Sequence, residues 1–121
     1  MPKSYQNKVK YYKLGVIAEY IAMIFLFLKG YRIVRHRYRN KLGEIDIIAL
    51  KKDLILAIEV KARRKILKID GLLGVKQQNR IKRSILLFAK NHKIAKNKSI
   101  RFDLIVVNNL LKIKHIKGFW N

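Results

Sequence analysis

Residues 43–63, GEIDIIALKKDLILAIEVKAR, leave the chain little freedom. Two runs dense in Ile, Val, Leu and Ala flank Lys52 and Asp53, and a connection that short closes an antiparallel hairpin. A two-residue loop also fixes the register, because Lys51 then pairs with Leu54, which sets Asp46 across from Glu59 and Glu44 across from Lys61, Cβ atoms about 4.5–5.5 Å apart. Alternation puts Glu44, Asp46 and Ile48 on one face of the first strand, and Ala57, Glu59 and Lys61 on one face of the second. Opposed carboxylates repel. An Asp46–Glu59 pair therefore calls for a cation between its members, and donors that are all oxygen suit a hard divalent ion. Residues 54–60 are almost continuously apolar, as expected of a central strand covered on both faces.

Acids in that stretch are conspicuous because the 121-residue chain has 7 Asp and Glu against 29 Lys and Arg, a net charge of +22. Such an excess costs compactness through self-repulsion, so an anionic partner is expected, nucleic acid first and an anionic membrane surface second. The absence of Cys excludes disulfides, thiolate metal sites and Cys nucleophiles, and it fits a reducing compartment. The start, MPKSYQNKVKYYK, is basic and polar, without the apolar core of a signal peptide, and the longest apolar run, 21–28, is too short to span a bilayer. The expectation is a cytoplasmic protein with no integral membrane segment. No linker, repeat or low-complexity tract interrupts residues 1–121, so they read as one domain.

A helix is expected over 8–29, with Leu14, Ile17, Ala18, Ile21, Phe25 and Leu28 as its buried stripe and Gly30 as its stop. Glu19 lies one step off that stripe; position alone favours a solvated Glu paired with a Lys, and a membrane-surface helix would carry the same stripe. Residues 31–39 read as a strand with Arg35, Arg37 and Arg39 on one face and Val34, His36 and Tyr38 on the other. Three arginines on a sheet face suit phosphate contacts or the charged defence of an edge strand. His36, with no second ligand type nearby, reads as a surface residue. Residues 64–74 read as a mobile basic loop. A second helix is expected over 75–92, burying Ile81, Ile85, Phe88 and Ala89 beneath a basic stripe of Lys76, Arg80 and Arg83. Strands at 100–107 and 110–116 flank a turn at Asn108 and Asn109, and Asp103 is assigned a structural pairing with Arg101. The order is helix, three strands, helix, two strands: an α/β fold, a mixed sheet flanked by helices.

No Gly-rich phosphate loop, Ser-His-Asp order or His cluster is present. What remains is Asp46, Glu59 and Lys61, spaced D-x12-E-x-K. Two carboxylates on a hard cation, with a Lys two residues along the same face, can hydrolyse a phosphodiester: the ion polarises the phosphate and acidifies a water, and the Lys orients that water or steadies negative charge. Glu44 is expected to support Lys61 or to bond to a neighbour, without touching the metal. Arg35, Arg37, Arg39, Arg63, Lys76, Arg80 and Arg83 are the candidates for phosphate contact.

The chain resembles the YraN-like proteins, the uncharacterised bacterial protein family 0102, grouped with the PD-(D/E)XK nucleases. The likeness rests on Gly15, Ala18-Glu19, Ala22, Gly30-Tyr31, Gly43-Glu44-Ile45-Asp46, Glu59-Val60-Lys61-Ala62-Arg63, Lys76 and Arg101-Phe102-Asp103. It implies a restriction-endonuclease-like αβββαβ core and a more distant likeness to archaeal Holliday junction resolvases. It further implies one Mg²⁺ site at which Glu19, Asp46, Glu59 and Lys61 are catalytic, the three carboxylates being metal ligands. Two departures stand out: Ile45 precedes Asp46 where the superfamily's name has Pro, and Arg37 stands where the family often has Asn. The implied activity is that of a Mg²⁺-dependent endonuclease on DNA, branched or structured DNA included, with DNA ranked ahead of RNA and a homodimer compatible with the resolvase likeness. The alternatives are a nuclease fold used only to bind nucleic acid, and a basic protein held peripherally on a membrane.

Overall fold

The computed structural model describes residues 3–64 and 71–120, with side chains from Lys13 onward. Helix α1 (Lys3–Leu28) leads into strands β1 (Arg32–Asn40), β2 (Gly43–Lys51) and β3 (Leu54–Ala62); helix α2 (Val75–Asn91) and a short 3-10 turn (Lys93–Ala95) precede β4 (Ser99–Val107) and β5 (Ile113–Trp120). The strands form one sheet in the order β1-β2-β3-β4-β5, antiparallel throughout except for the parallel β3–β4 pair. Only β3–β4 requires a crossover, and α2 supplies it. The result is the expected mixed sheet flanked by two helices, in the αβββαβ order of a restriction-endonuclease-like core. Most of the segment read as a mobile loop, 65–70, lies outside the described residues.

The two helices cover opposite faces of the sheet. Ile81, Ile85 and Phe88 of α2 pack on Ile45, Ile48, Ile55 and Ala57, while Ala18, Ala22 and Leu26 of α1 pack on Ile47, Ala49, Leu56, Ile58 and Ile105. Hence β3 is apolar on both sides, as its unbroken run of Leu, Ile, Ala and Val requires. The burial of α1 differs from the expected stripe: Leu14, Ile17 and Leu28 are exposed, and the buried line runs through Ala18, Ala22 and Leu26. Alanines on that line let the helix lie closer to the sheet than Ile or Leu would, and close packing selects the line that excludes most voids.

Gly30 ends α1 as expected. It takes φ +89°, and the Tyr31 N–H reaches the Leu26 carbonyl (2.9 Å) while the Gly30 N–H reaches that of Phe27 (3.0 Å). This pair of bonds is the Schellman closure, with Tyr31 buried in the same cluster as Leu26. No atom lies within 4 Å of where a Cβ at Gly30 would stand. Gly30→Ala is therefore expected to cost about 1–2 kcal/mol from backbone conformation alone, read as a lowered urea midpoint with an unchanged slope.

Strand β1 departs from simple alternation. Ile33 pairs with Ala49 but Arg35 with Ile48, so Val34 is an extra residue in the ladder, and Arg37 adopts φ +53°. A bulge reverses the facing of the residues after it. Arg35 accordingly lies on the α2 side, over the Phe88 ring at 5.8 Å from its centroid; the positive φ of Arg37 then breaks the alternation again and turns it to Glu19 of α1, so Arg35, Arg37 and Arg39 do not share a face. Strand β5 also begins later than expected, because Asn108 Oδ1 accepts from the N–H groups of Leu110 and Lys112 and prolongs the turn.

Candidate functional site

The hairpin of β2 and β3 has the register that its two-residue loop dictates. Lys51 pairs with Leu54, and the ladder continues through Ile47 and Ile58. There it stops. The next pair would be Asp46 with Glu59, and at this point the strands open and the side chains take over. Asp46 Oδ2 accepts the Val60 N–H (2.8 Å), and Glu59 Oε1 accepts the Asp46 N–H (3.3 Å). Ile45 faces α2 whereas Ile47 faces α1, so strict alternation breaks at Asp46. Asp46, Glu44 and Ile48 therefore do not line one face. Of the two roles expected for Glu44, the structure shows the bond to a neighbour: Glu44 is ion-paired with Arg39, its partner on β1.

Two carboxyls thus face each other where the sheet divides. Glu59 is 4 % exposed. Burial, and then the neighbouring Asp46 charge, push its pKa up from 4.5 to about 8, against the pull of Lys61. Burial likewise raises Asp46, with the Glu19 charge adding to it and the Val60 N–H and Lys61 opposing. Like charges this close cannot both ionise without a cation, so the pair retains a proton at neutral pH. Lys61, two residues past Glu59 on the same face of β3, is the nearest built-in positive charge acting on both.

Two partners that sequence reasoning missed hold the surroundings. Gln77, in the first turn of α2, donates from Nε2 to Glu59 Oε2 (3.0 Å). His36, expected to be an incidental surface residue, has Nε2 at 2.8 Å from Glu19 Oε1, and Arg37 donates to the same carboxylate from Nε (3.0 Å) and Nη2 (3.3 Å). No local signal marked His36. It meets Glu19 because the bulge at Val34 turns His36 toward α1. Glu19 is itself buried rather than solvated, and it is held by an Arg and a His of β1 in place of the expected Lys. Among the described residues, no three Asp, Glu or His side chains already converge as a coordination cage.

A cleft of about 360 Å³ opens beside the pair, lined by Glu19, Arg37, Arg39, Glu44, Ile45 and Asp46. Three of its lining residues are acids and two are arginines, Arg37 ion-paired with Glu19 and Arg39 with Glu44; Asp46 is the member of the pair that lines it. Of the remaining phosphate-contact candidates, Arg63 is exposed just past β3, Lys76, Arg80 and Arg83 lie exposed on α2, and Arg35 stands apart over Phe88. The start of β2 is locked to α2, because a Cβ on Gly43 would come within 3.0 Å of the Arg80 carbonyl oxygen.

Among known proteins, the family model described as "Uncharacterised protein family UPF0102" matches residues 18–107, from the buried face of α1 to the end of β4. A UPF0102 protein of Agrobacterium fabrum is 47 % identical over 93 residues, covering 77 % of this chain and 76 % of its own. One from Sinorhizobium medicae is 44 % identical over 102 residues, covering 83 % and 82 %. One from Ehrlichia ruminantium is 38 % identical over 114 residues, covering 94 % and 88 %.

Proposed function

The chain belongs to the uncharacterised protein family UPF0102, a description that assigns no chemistry, and we propose from the site itself that it is a divalent-metal-dependent nuclease hydrolysing phosphodiester bonds in DNA. The observation that carries this reading is the buried Asp46–Glu59 pair at the open end of the β2–β3 hairpin, with Lys61 beside it. Its donors are all carboxylate oxygen and repel one another, and Asp46 also lines the cleft that holds Glu19, Arg37 and Arg39. A hard cation such as Mg²⁺ or Mn²⁺ fits that donor set and relieves the repulsion that keeps the pair protonated.

When bound, the ion would supply Lewis-acid polarisation of the phosphate and a water of lowered pKa. Asp46 and Glu59 would hold it, and Glu19, fixed by His36 and Arg37, would sit at the edge of its sphere. Lys61 would orient the attacking water and offset negative charge gathering on phosphorus. Gln77 keeps the Glu59 carboxylate aimed at the gap between the strands. Arg37 and Arg39 would grip the phosphate, and the exposed cations of α2 would follow the backbone on either side. The water oxygen adds to phosphorus, the ester P–O bond breaks, and a proton passes to the departing oxygen.

A second reading is favoured by one observation. Glu19 and Glu59 each already have protein hydrogen-bond partners, as acids serving structure do. The fold would then bind nucleic acid without cutting it. Titration with Mn²⁺, paired with cleavage assays on branched, flapped and single-stranded DNA, separates the two. The nuclease reading expects saturable Mn²⁺ binding and metal-dependent cutting, both lost in Asp46→Asn with DNA binding retained. Mn²⁺ affinity and cleavage that are both unchanged by Asp46→Asn and Glu59→Gln would refute it.

A further inference from the structure

Helix α1 is apolar on two sides. Opposite the line of Ala18, Ala22 and Leu26 that packs on the sheet, Ile17, Tyr20, Ile24, Phe27 and Leu28 are exposed, the last three by 61, 71 and 76 %. At 3.6 residues per turn these five fall on the side turned from the sheet. A helix apolar all round normally has something covering both sides. Among the described residues the His36 ring meets Tyr20 at the margin of this side (5.4 Å between ring centroids), while Ile17, Ile24, Phe27 and Leu28 stay exposed as a patch rather than as scattered surface side chains.

The charges around the patch indicate what would cover it. Lys13 is exposed at one end and Lys29 and Arg32 at the other, and the acid of this part of the helix, Glu19, is buried against His36 and Arg37. Beyond Phe27 the surface dips into a shallow cleft of about 380 Å³, lined by Phe27, Gly30, Tyr31, Arg32 and Ile33. Seating a second copy on the patch antiparallel would set Lys13 of each against Lys29 and Arg32 of the other; a parallel arrangement would set each cation against its own kind. Neither offers an acid to relieve the contact, between chains that each carry +22. An anionic lipid surface satisfies both features, taking up apolar side chains at the acyl boundary and cations at the headgroup phosphates.

We propose that the outer face of α1 docks the protein on an anionic membrane surface, with Ile24, Phe27 and Leu28 immersed and Lys13, Lys29 and Arg32 on headgroup phosphates. The helix lies on the bilayer and does not cross it; among the described residues, no helix is long and apolar enough to do so. This docking is independent of the carboxylate pair, so Asp46→Asn is expected to leave it unchanged.

The test uses the full chain with vesicles of phosphatidylglycerol and phosphatidylcholine, and with phosphatidylcholine alone as the control. Because the chain contains no Cys, Ile24→Cys gives a single attachment point for a solvent-sensitive fluorophore. Its emission is expected to shift to the blue on the anionic vesicles, while the same label at Lys82→Cys, exposed on α2, stays unshifted. The combined Ile24→Gln, Phe27→Gln and Leu28→Gln variant, whose net charge is unchanged, is expected to bind those vesicles about a hundredfold more weakly. Should that variant fail to fold, the pair of labelled positions decides alone. Three results overturn the proposal: no vesicle binding by the parent chain, equal binding by the glutamine variant, or a solution dimer that the same substitutions dissolve without any vesicle association.

Discussion

Glu59→Gln is expected to make the protein more stable at neutral and alkaline pH while reducing metal-dependent cleavage by about a thousandfold or more, the scale on which removing preorganised electrostatic stabilisation lowers rates. The stability half rests on linkage. The pKa of Glu59 is raised in the fold from 4.5 to about 8, so between those values the folded chain holds a proton that the unfolded chain has lost. Stability contributed by that proton is fully present below pH 4.5 and drains away as pH rises to about 8. A glutamine does not titrate, still offers Asp46 N–H an amide oxygen, and removes the second-largest cause of the shift, the opposed charge. Near pH 4.5 the two proteins should melt together, and by pH 8 the variant should lead by on the order of 3 kcal/mol. Millimolar Mn²⁺ should shrink or reverse the gap, because an ion bound only by the folded parent stabilises the parent alone. Paired melting curves at pH 5 and pH 8, with and without Mn²⁺, check all of this. A variant less stable than the parent at pH 8 would mean that the repulsion inferred at the hairpin's end is absent.

That site was legible to the extent that local chemistry fixes geometry. A two-residue loop at Lys52-Asp53 permits one register, and the register alone brought Asp46 opposite Glu59. What lay beyond it was that the ladder would end there, with Asp46 Oδ2 taking the Val60 N–H, because an opening between strands depends on what the side chains can bond once the backbone pairs part. Strand β1 was misread for a different reason. Alternation assumes an unbroken ladder, and neither the bulge at Val34, which turned His36 toward Glu19, nor the positive φ of Arg37, which parted it from Arg35, has a signature in RIVRHRYRN. In α1 the period was right, and Ala18, Ile21 and Phe25 pack on the core as expected, but Leu14, Ile17 and Leu28 are exposed and Ala22 and Leu26 are buried instead. Hydrophobicity favours burying the large side chains, yet close approach of the helix to the sheet favours Ala18 and Ala22 at that contact. The element order of the fold was read in full, since hydrophobic period and turn residues act locally and agree with one another.

Asp103→Asn is expected to cost about 3–5 kcal/mol, a large share of the roughly 5–15 kcal/mol that holds a typical domain together. The carboxylate is fully buried and accepts four bonds: from Arg101 Nε and Nη2 (2.9 Å each), from the Gly118 N–H (3.0 Å), and from His115 Nε2 (2.8 Å). Arg101 also reaches the Tyr31 hydroxyl at 3.2 Å, which ties β4 and β5 to the turn that ends α1. Burial alone would raise this carboxyl's pKa, yet the His115, Arg101 and Gly118 bonds outweigh burial and lower it from 3.8 to about 2. Asp103 therefore stabilises the fold above about pH 4, and that contribution is lost as pH falls from 3.8 toward 2. An asparagine of the same shape keeps an acceptor for Gly118 but strands the Arg101 charge, and a stranded charge costs more than the intact pair contributes. Adding Arg101→Met to Asp103→Asn should accordingly recover part of the loss, a favourable coupling that urea melts of the four proteins would measure. If the single variant melted within about 0.5 kcal/mol of the parent, the scale of an ordinary surface substitution, the bonds around Asp103 would not be what fastens β5 and the end of α1 to the sheet.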